Sequence, residues 1–360
     1  MKIAFYLDCV SPHQVPLAQE VVKRVGADNF RYVYRDAVQE DRAALGWQMK
    51  GDADWFVHIG AHPDVAREWI ECADVLLTGF RDFDLFGRRT AKGVFSLYTS
   101  ERWFKPIDIR CFGVRLCLLG KMRLLRRSYR RMACHLVSCA RCDRRFRYLA
   151  IGEHARTDMQ SLGFPMEKIV PWAYCVEPSA VHCQRGISQD SLRVVWLGRM
   201  LDWKHPETVV QAARRLCAVG GGATFTFVGD GPMKRRLLQM AKGLPVSFLP
   251  PQAIGKIRKI MREHDVYVLA SDAGEGWGAA LNEALEEGLH ALGTYEAGSS
   301  VTMLNESDLF HSGDSRALGR LLARCVHEKK VGKLTGQGIG NWSAGKMADR
   351  LMNLIDAVRN

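Results

Sequence analysis

Three times between Leu192 and Gly288, a short apolar run is followed by a loop with charged or glycine residues and then by helical spacing. Leu192–Gly198 leads through Arg199–Pro206 into Glu207–Val219, where Val209, Val210, Ala213 and Leu216 share one helical face. Ala223–Val228 leads through Gly229-Asp-Gly-Pro232 into Met233–Lys242. Asp265–Ala270 leads through a third loop into a helix whose apolar face is Leu281, Ala284 and Leu285, with Gly288 as its stop. Strands that read as continuous apolar runs are buried on both faces, and a parallel α/β sheet gathers such loops around one crevice. Strand-like runs near Ile3–Leu7, Phe30–Tyr34, Trp55–His58, Val75–Leu77, Val94–Tyr98 and Tyr148–Ile151 make the first ~175 residues a second α/β unit.

The loops carry the chemistry. The run from Glu275 through Gly276, Trp277 and Gly278 to Glu283 holds two carboxylates eight positions apart at a loop that opens a helix. Glycines there let the backbone approach a ligand, and the exposed N–H groups of a helix start favour an anion. Each carboxylate can accept paired hydroxyl donors, as sugars offer. The competing reading is a solvated acidic helix, since Glu286 and Glu287 follow in the same run. Upstream, Gly198 and Arg199 precede Lys204 on another strand-to-helix loop. An arginine fork and a lysine point charge suit a diphosphate, although surface cations are more often just solvated.

Taken in order and at these distances, the stretch Leu192–Asp314 resembles the donor-binding domain of the family-four retaining glycosyltransferases. The matching pieces are Gly198-Arg199 with Lys204, Val228-Gly-Asp-Gly-Pro232, the Glu275/Glu283 pair, and Leu309-Phe-His-Ser-Gly-Asp314. The resemblance implies a GT-B fold, that is, α/β with two Rossmann-like domains facing a cleft. It implies that Arg199 and Lys204 hold the donor diphosphate, that Glu275 contacts the donor sugar, and that Glu283 contacts the ribose. It also implies retention of configuration without a metal or other cofactor. The substrates it implies are a nucleotide-diphosphate-sugar donor and a saccharide or lipid-linked saccharide acceptor, in cell-surface polysaccharide synthesis of the lipopolysaccharide or capsule kind. Weaker matches at Ser11-Pro-His-Gln14, Tyr98–Arg102 and Ala150–Lys168 resemble the acceptor-side domain, which makes His13 a candidate contact to donor sugar or acceptor. A helix-starting role for Ser11-Pro12-His13 is equally open. The chain departs from the family at Pro250-Pro251, near the nucleobase in that family, and at Gly298-Ser-Ser-Val301.

The expected organisation is an acceptor-side domain over 1–177, a linker over 178–190 and a donor-binding domain over 191–340, with a closing helix in 341–360 packed back on the first domain. At 360 residues and 47% hydrophobic content the chain can core two domains. No apolar run reaches the length of a membrane span, and Met1–Asp8 lack the features of a signal peptide, so a cytoplasmic protein is expected. Eleven scattered cysteines read as reduced thiols. Cys139 and Cys142, with Cys134 and His135 nearby, have no second pair at zinc-site spacing, and the Asp82/Asp84 pair is discounted as a metal site.

Charge is concentrated. Between Arg110 and Arg147 stand twelve basic residues and one acid, Asp143, a net +11 against +12 for the whole chain. On a helical wheel Val114, Leu118, Met122, Leu125, Tyr129, Met132 and Leu136 form one stripe, with Arg115, Arg123, Arg126, Arg127, Arg130 and Arg131 beside and opposite it. Such a segment suits an anionic inner-leaflet surface, where each basic residue contributes about 1 kcal/mol. A stripe packed on its own domain with solvated arginines is the alternative. No nucleic-acid motif accompanies the basic run, so no nucleic acid is expected. Two further function classes remain compatible: a nucleotide-sugar epimerase on the same fold, and a non-catalytic membrane-bound partner of a transferase.

Overall fold

Ile3, Ala4 and Phe5 of strand β1 (Ile3–Leu7) are fully buried, as a strand with helices over both faces requires. The computed structural model describes residues 1–37, 53–104, 131–132, 134–179 and 191–359. These fall into two compact units, one drawn from the chain up to Glu177 together with Asn341 onward, the other from Pro178–Gly340.

In the first unit β1 is followed by β2 (Phe30–Tyr34), β3 (Phe56–His58), β4 (Val75–Thr78), β5 (Phe95–Ser100), β6 (Phe146–Ile151) and β7 (Ile169–Trp172). All pair in parallel, in the order β3-β2-β1-β4-β5-β6-β7. β7 is absent from the sequence reading for a physical reason: its four residues include Pro171, which is tolerated because the strand lies at the sheet edge. Helix Ala344–Arg359 belongs to this unit. Its stripe of Ala344, Met347, Ala348, Leu351 and Ile355 is buried, and Arg24 of helix Val15–Val25 reaches Asp349 Oδ1 at 2.6 Å.

The second unit repeats the plan with β8 (Leu192–Leu197), β9 (Ala223–Val228), β10 (Val246–Leu249), β11 (Val266–Leu269), β12 (His290–Thr294) and β13 (Leu309–Phe310), again all parallel, in the order β10-β9-β8-β11-β12-β13. Alternation along β8 divides the core: Val194 and Trp196 pack with helices Pro206–Ala218 and Ser315–Lys330, whereas Val195 and Leu197 pack with helices Ile254–Arg262 and Ala280–Glu286. In both sheets the strand order reverses at the centre, between β1 and β4 and between β8 and β11. In open α/β sheets that switch point is where ligands bind, outside the carboxyl ends of the strands.

Candidate functional site

β8 ends at Leu197 and delivers Gly198, Arg199 and Met200 to the switch point of the second sheet. The loop after β9 is the bed for this turn. Met200 N–H donates to Asp230 O at 2.7 Å, and Gly198 N–H donates to Val228 O at 3.0 Å. A Cβ at Gly229 would sit 2.0 Å from Gly198 O, and one at Gly231 would sit 2.6 Å from Met200 O. The Gly229-Asp-Gly231 motif is therefore glycine because backbone lies on backbone there. Met200 is buried, while Arg199 beside it is exposed, and its guanidinium has no hydrogen-bond or ion-pair partner among the described residues.

Five residues on, Lys204 Nζ lies 2.6 Å from Glu275 Oε2, with both side chains mostly buried, and Ser271 Oγ–H donates to the same carboxylate oxygen at 3.1 Å. Glu275 stands in the loop after β11, so the pair joins the loops on either side of the switch point. Backbone contacts tie the two loops as well. Asp272 N–H donates to Trp203 O at 2.8 Å, Glu275 N–H donates to Asp272 O at 3.0 Å, and Lys204 lies over the Trp203 ring at 4.6 Å.

Beyond Glu275 the chain passes through Gly278, in the left-handed region at φ +94°, into helix Ala280–Glu286. Trp277 is buried, its indole N–H donating to Asn282 Oδ1 at 2.8 Å, so its side chain locks the loop and only its backbone can face a ligand. Glu283 is half-buried in the first turn of the helix. The acidic run divides here. Glu287 has a fully buried carboxylate that pairs with Arg258 at 2.5 Å and Arg262 at 2.9 Å, and Glu286 accepts from Ser179 N–H at 3.0 Å. Those two acids are structural, which sets aside the solvated-helix reading for them.

Residues 191–328 match the family model for Glycosyl transferases group 1. Over this stretch the chain is similar to group 1 glycosyl transferases. Solved structures agree on the fold over the whole chain. Anabaena HepE in complex with UDP aligns at 15% identity and a TM-score of 0.65, over 99% of this chain and 100% of that one. The lipopolysaccharide outer core galactosyltransferase WaaB, in its apo form, aligns at 13% and 0.63, over 99% of each chain. A glycosyltransferase from Rickettsia africae aligns at 13% and 0.61, over 100% of this chain and 99% of that one. At such identities the likeness is one of fold, and the fold is GT-B. Comparison with curated proteins finds no match.

Arg199, Lys204, Glu275 and Glu283, with Gly198, Gly276, Trp277 and Gly278, all fall inside the matched stretch. The structure brings Lys204 and Glu275 into contact. His13 belongs to the other unit, where its backbone O accepts from Cys175 N–H at 3.0 Å and its ring stands 6.2 Å from that of Tyr174. Ser11 O accepts from the N–H groups of Gln14 and Val15, so this segment does start helix Val15–Val25. Asp82 is a helix cap, its Oδ1 accepting from Leu85 N–H at 2.8 Å. Every described cysteine is a free thiol, and no group of three or more metal-ligating side chains assembles among the described residues. No helix among the described residues is long and apolar enough to cross a membrane. Most of the basic segment, including Val114, Leu118, Met122, Leu125 and Tyr129, lies outside the described residues, as does the linker from 180 to 190. The described end of the stripe packs on its own unit: Leu136 is buried with Phe86, Tyr98 and Phe146, while Arg131 is exposed.

Four residues escaped the sequence reading: Ser271, Asp272, His205 and Tyr267. The Tyr267 hydroxyl is buried without a hydrogen-bond partner among the described residues. Burial above all, with Glu275 and Glu283 adding, pushes its pKa well above the usual phenol value. A tyrosine inside an apolar strand carries no local signal of this.

Proposed function

We propose that this protein is a retaining, metal-independent glycosyltransferase. It moves a sugar from a nucleotide-diphosphate-sugar to a saccharide or lipid-linked saccharide acceptor in cell-surface polysaccharide synthesis. The observation that carries the reading is the meeting of Lys204 and Glu275 at 2.6 Å, with Arg199, unpaired among the described residues, on the same loop as the lysine, at the switch point of the second sheet. The HepE structures with UDP and with UDP-glucose support a nucleoside diphosphate as the ligand class on this fold.

In this reading the diphosphate takes Arg199 as a planar fork and Lys204 as a point charge. The N–H groups of Gly276, Trp277 and Gly278 and the backbone of Gly198 line the same ligand. Glu275 then accepts from donor-sugar hydroxyls and Glu283 from those of the ribose. As the nucleoside diphosphate departs, negative charge grows on its phosphate oxygens, and fixed cations there stabilise the transition state more than the ground state. The departing phosphate accepts the acceptor's proton on the same face, so no side chain is assigned as base. His13 is assigned to the sugar or the acceptor. The reaction takes place in the cytoplasm at the inner leaflet, with the basic segment 110–147 on anionic lipid.

Calorimetry with UDP, GDP, ADP, CMP and NAD tests the site on the wild type and on the Arg199→Ala/Lys204→Ala variant. One diphosphate should bind the wild type and fail on the double variant. Its release should then require an acceptor saccharide; release without acceptor would contradict transfer.

A further inference from the structure

Among the described residues, His205 is the only non-glycine with a positive φ; its φ of 46° and ψ of 44° place it in the left-handed region. A glycine occupies that region freely, whereas a β-carbon makes it costly. His205 precedes helix Pro206–Ala218 at the N-cap position, yet its side chain makes no capping hydrogen bond. The ring is engaged elsewhere. Nδ1 lies 3.0 Å from Glu207 Oε1, and Nε2 lies 3.5 Å from Asp272 Oδ2, across the gap between the two site loops.

Asp272 is the hub of the second loop. Its Oδ1 accepts from Gly274 N–H at 2.7 Å, its backbone O accepts from Glu275 N–H, and its own N–H reaches Trp203 O. If Lys204 is to hold a diphosphate, it must share or release Glu275, and the direct ion pair between the loops then weakens. The His205–Asp272 contact and the Asp272–Trp203 hydrogen bond do not involve Lys204.

We propose that His205, clasped between Glu207 and Asp272, is a positioning residue that keeps the Lys204 loop against the Glu275 loop while Lys204 exchanges its carboxylate for the donor diphosphate. The inference rests on the donor-site reading above. It makes the tie sensitive to pH. The hydrogen bond to Glu207, with Asp272 adding, outweighs burial and raises the His205 pKa. The groups facing the ring are Glu207 on its own helix and Asp272 on the opposite loop, and the neighbouring Lys204 and Glu275 offset one another. A raised pKa means that the charged clasp is complete at low pH and is lost as pH rises through that raised value.

The test uses the full chain with His205→Gly, His205→Asn, Asp272→Asn and the His205→Gly/Asp272→Asn double variant. UDP, GDP and ADP are titrated in parallel by calorimetry from about pH 6.5 to 9, beside thermal unfolding. Glycine and asparagine both tolerate the left-handed region. His205→Gly should therefore unfold at the wild-type temperature or above, yet bind the accepted diphosphate about fivefold to tenfold more weakly. The wild type should lose more affinity than the glycine variant as pH rises, and the double variant should be no weaker than either single one. Wild-type affinity and pH profile in His205→Gly would overturn the proposal. So would full additivity with Asp272→Asn, or lost binding explained by a lowered unfolding temperature in both position-205 variants. Failure of the wild type to bind any of the three diphosphates would instead remove the donor-site reading, and this inference with it.

Discussion

Lys204 and Glu275 stand 71 positions apart in sequence and 2.6 Å apart in space, each on a loop beside the central strand pair of the second sheet. The contact gives the lysine a partner before any ligand arrives and presents the carboxylate at the same point. The arginine on the first loop remains unpaired among the described residues.

Arg199 is the cleanest probe of the site. It is exposed and unpartnered among the described residues, so Arg199→Ala should leave the unfolding free energy within about 0.5 kcal/mol of wild type. Diphosphate affinity should nonetheless fall roughly tenfold or more, the scale of a lost charge-assisted hydrogen bond. Unfolding and calorimetry on one sample separate the two effects.

Glu275→Ala should abolish measurable transfer while circular dichroism stays close to wild type, and the unfolding transition should fall because the mostly buried Lys204 loses its partner. Lys204→Ala should lower kcat by roughly 100- to 1000-fold if the lysine stabilises charge on the departing phosphate. Normal turnover in Glu275→Ala would remove the central site assignment.

The two kinds of acid in the run after Glu275 should separate by stability. Glu287→Ala strands Arg258 and Arg262 around a fully buried position and should cost about 3–5 kcal/mol. Glu283→Ala removes a half-buried carboxylate and should cost about 1 kcal/mol or less while weakening nucleotide binding. Chemical denaturation of both variants decides.

Gly231→Ala should destabilise by more than about 3 kcal/mol, because the new Cβ meets backbone atoms of Met200 at 2.6–2.9 Å and has no flexible side chain to displace. The same clash shifts the turn that carries Arg199, so diphosphate binding should fall with stability. The control is Gly243→Ala, which also has a positive φ but nothing within 4 Å of its Cβ. It should lose only the conformational cost.

Much of the architecture was legible in the chain. The apolar runs at Leu192, Ala223 and Asp265 became β8, β9 and β11, because strands covered on both faces need continuous apolar character. Helix Pro206–Ala218 buries the expected Val209, Val210, Ala213 and Leu216. The reading missed β7, where Pro171 breaks the local pattern in a way that an edge strand tolerates. Trp277 stands in the same loop as Glu275, but its indole is buried against Asn282 and leaves only its backbone to serve a ligand.

What the sequence determined by itself was the order of strands, loops and helices and the types of residue placed in the loops. Periodicity, β-branching and glycine's lack of a side chain act over a few residues and are visible locally. Tertiary structure decided which charges were free to act. Glu275, Glu283, Glu286 and Glu287 are close together in the same run, and nothing local distinguishes a carboxylate beside Lys204 from one sealed between two arginines. The state of a charge depends on what surrounds it, and those surroundings come from other parts of the chain: Arg258 and Arg262 for Glu287, Ser179 for Glu286, and Lys204 for Glu275. His205 is the extreme case, since its reach to Asp272 exists only once the two loops have met.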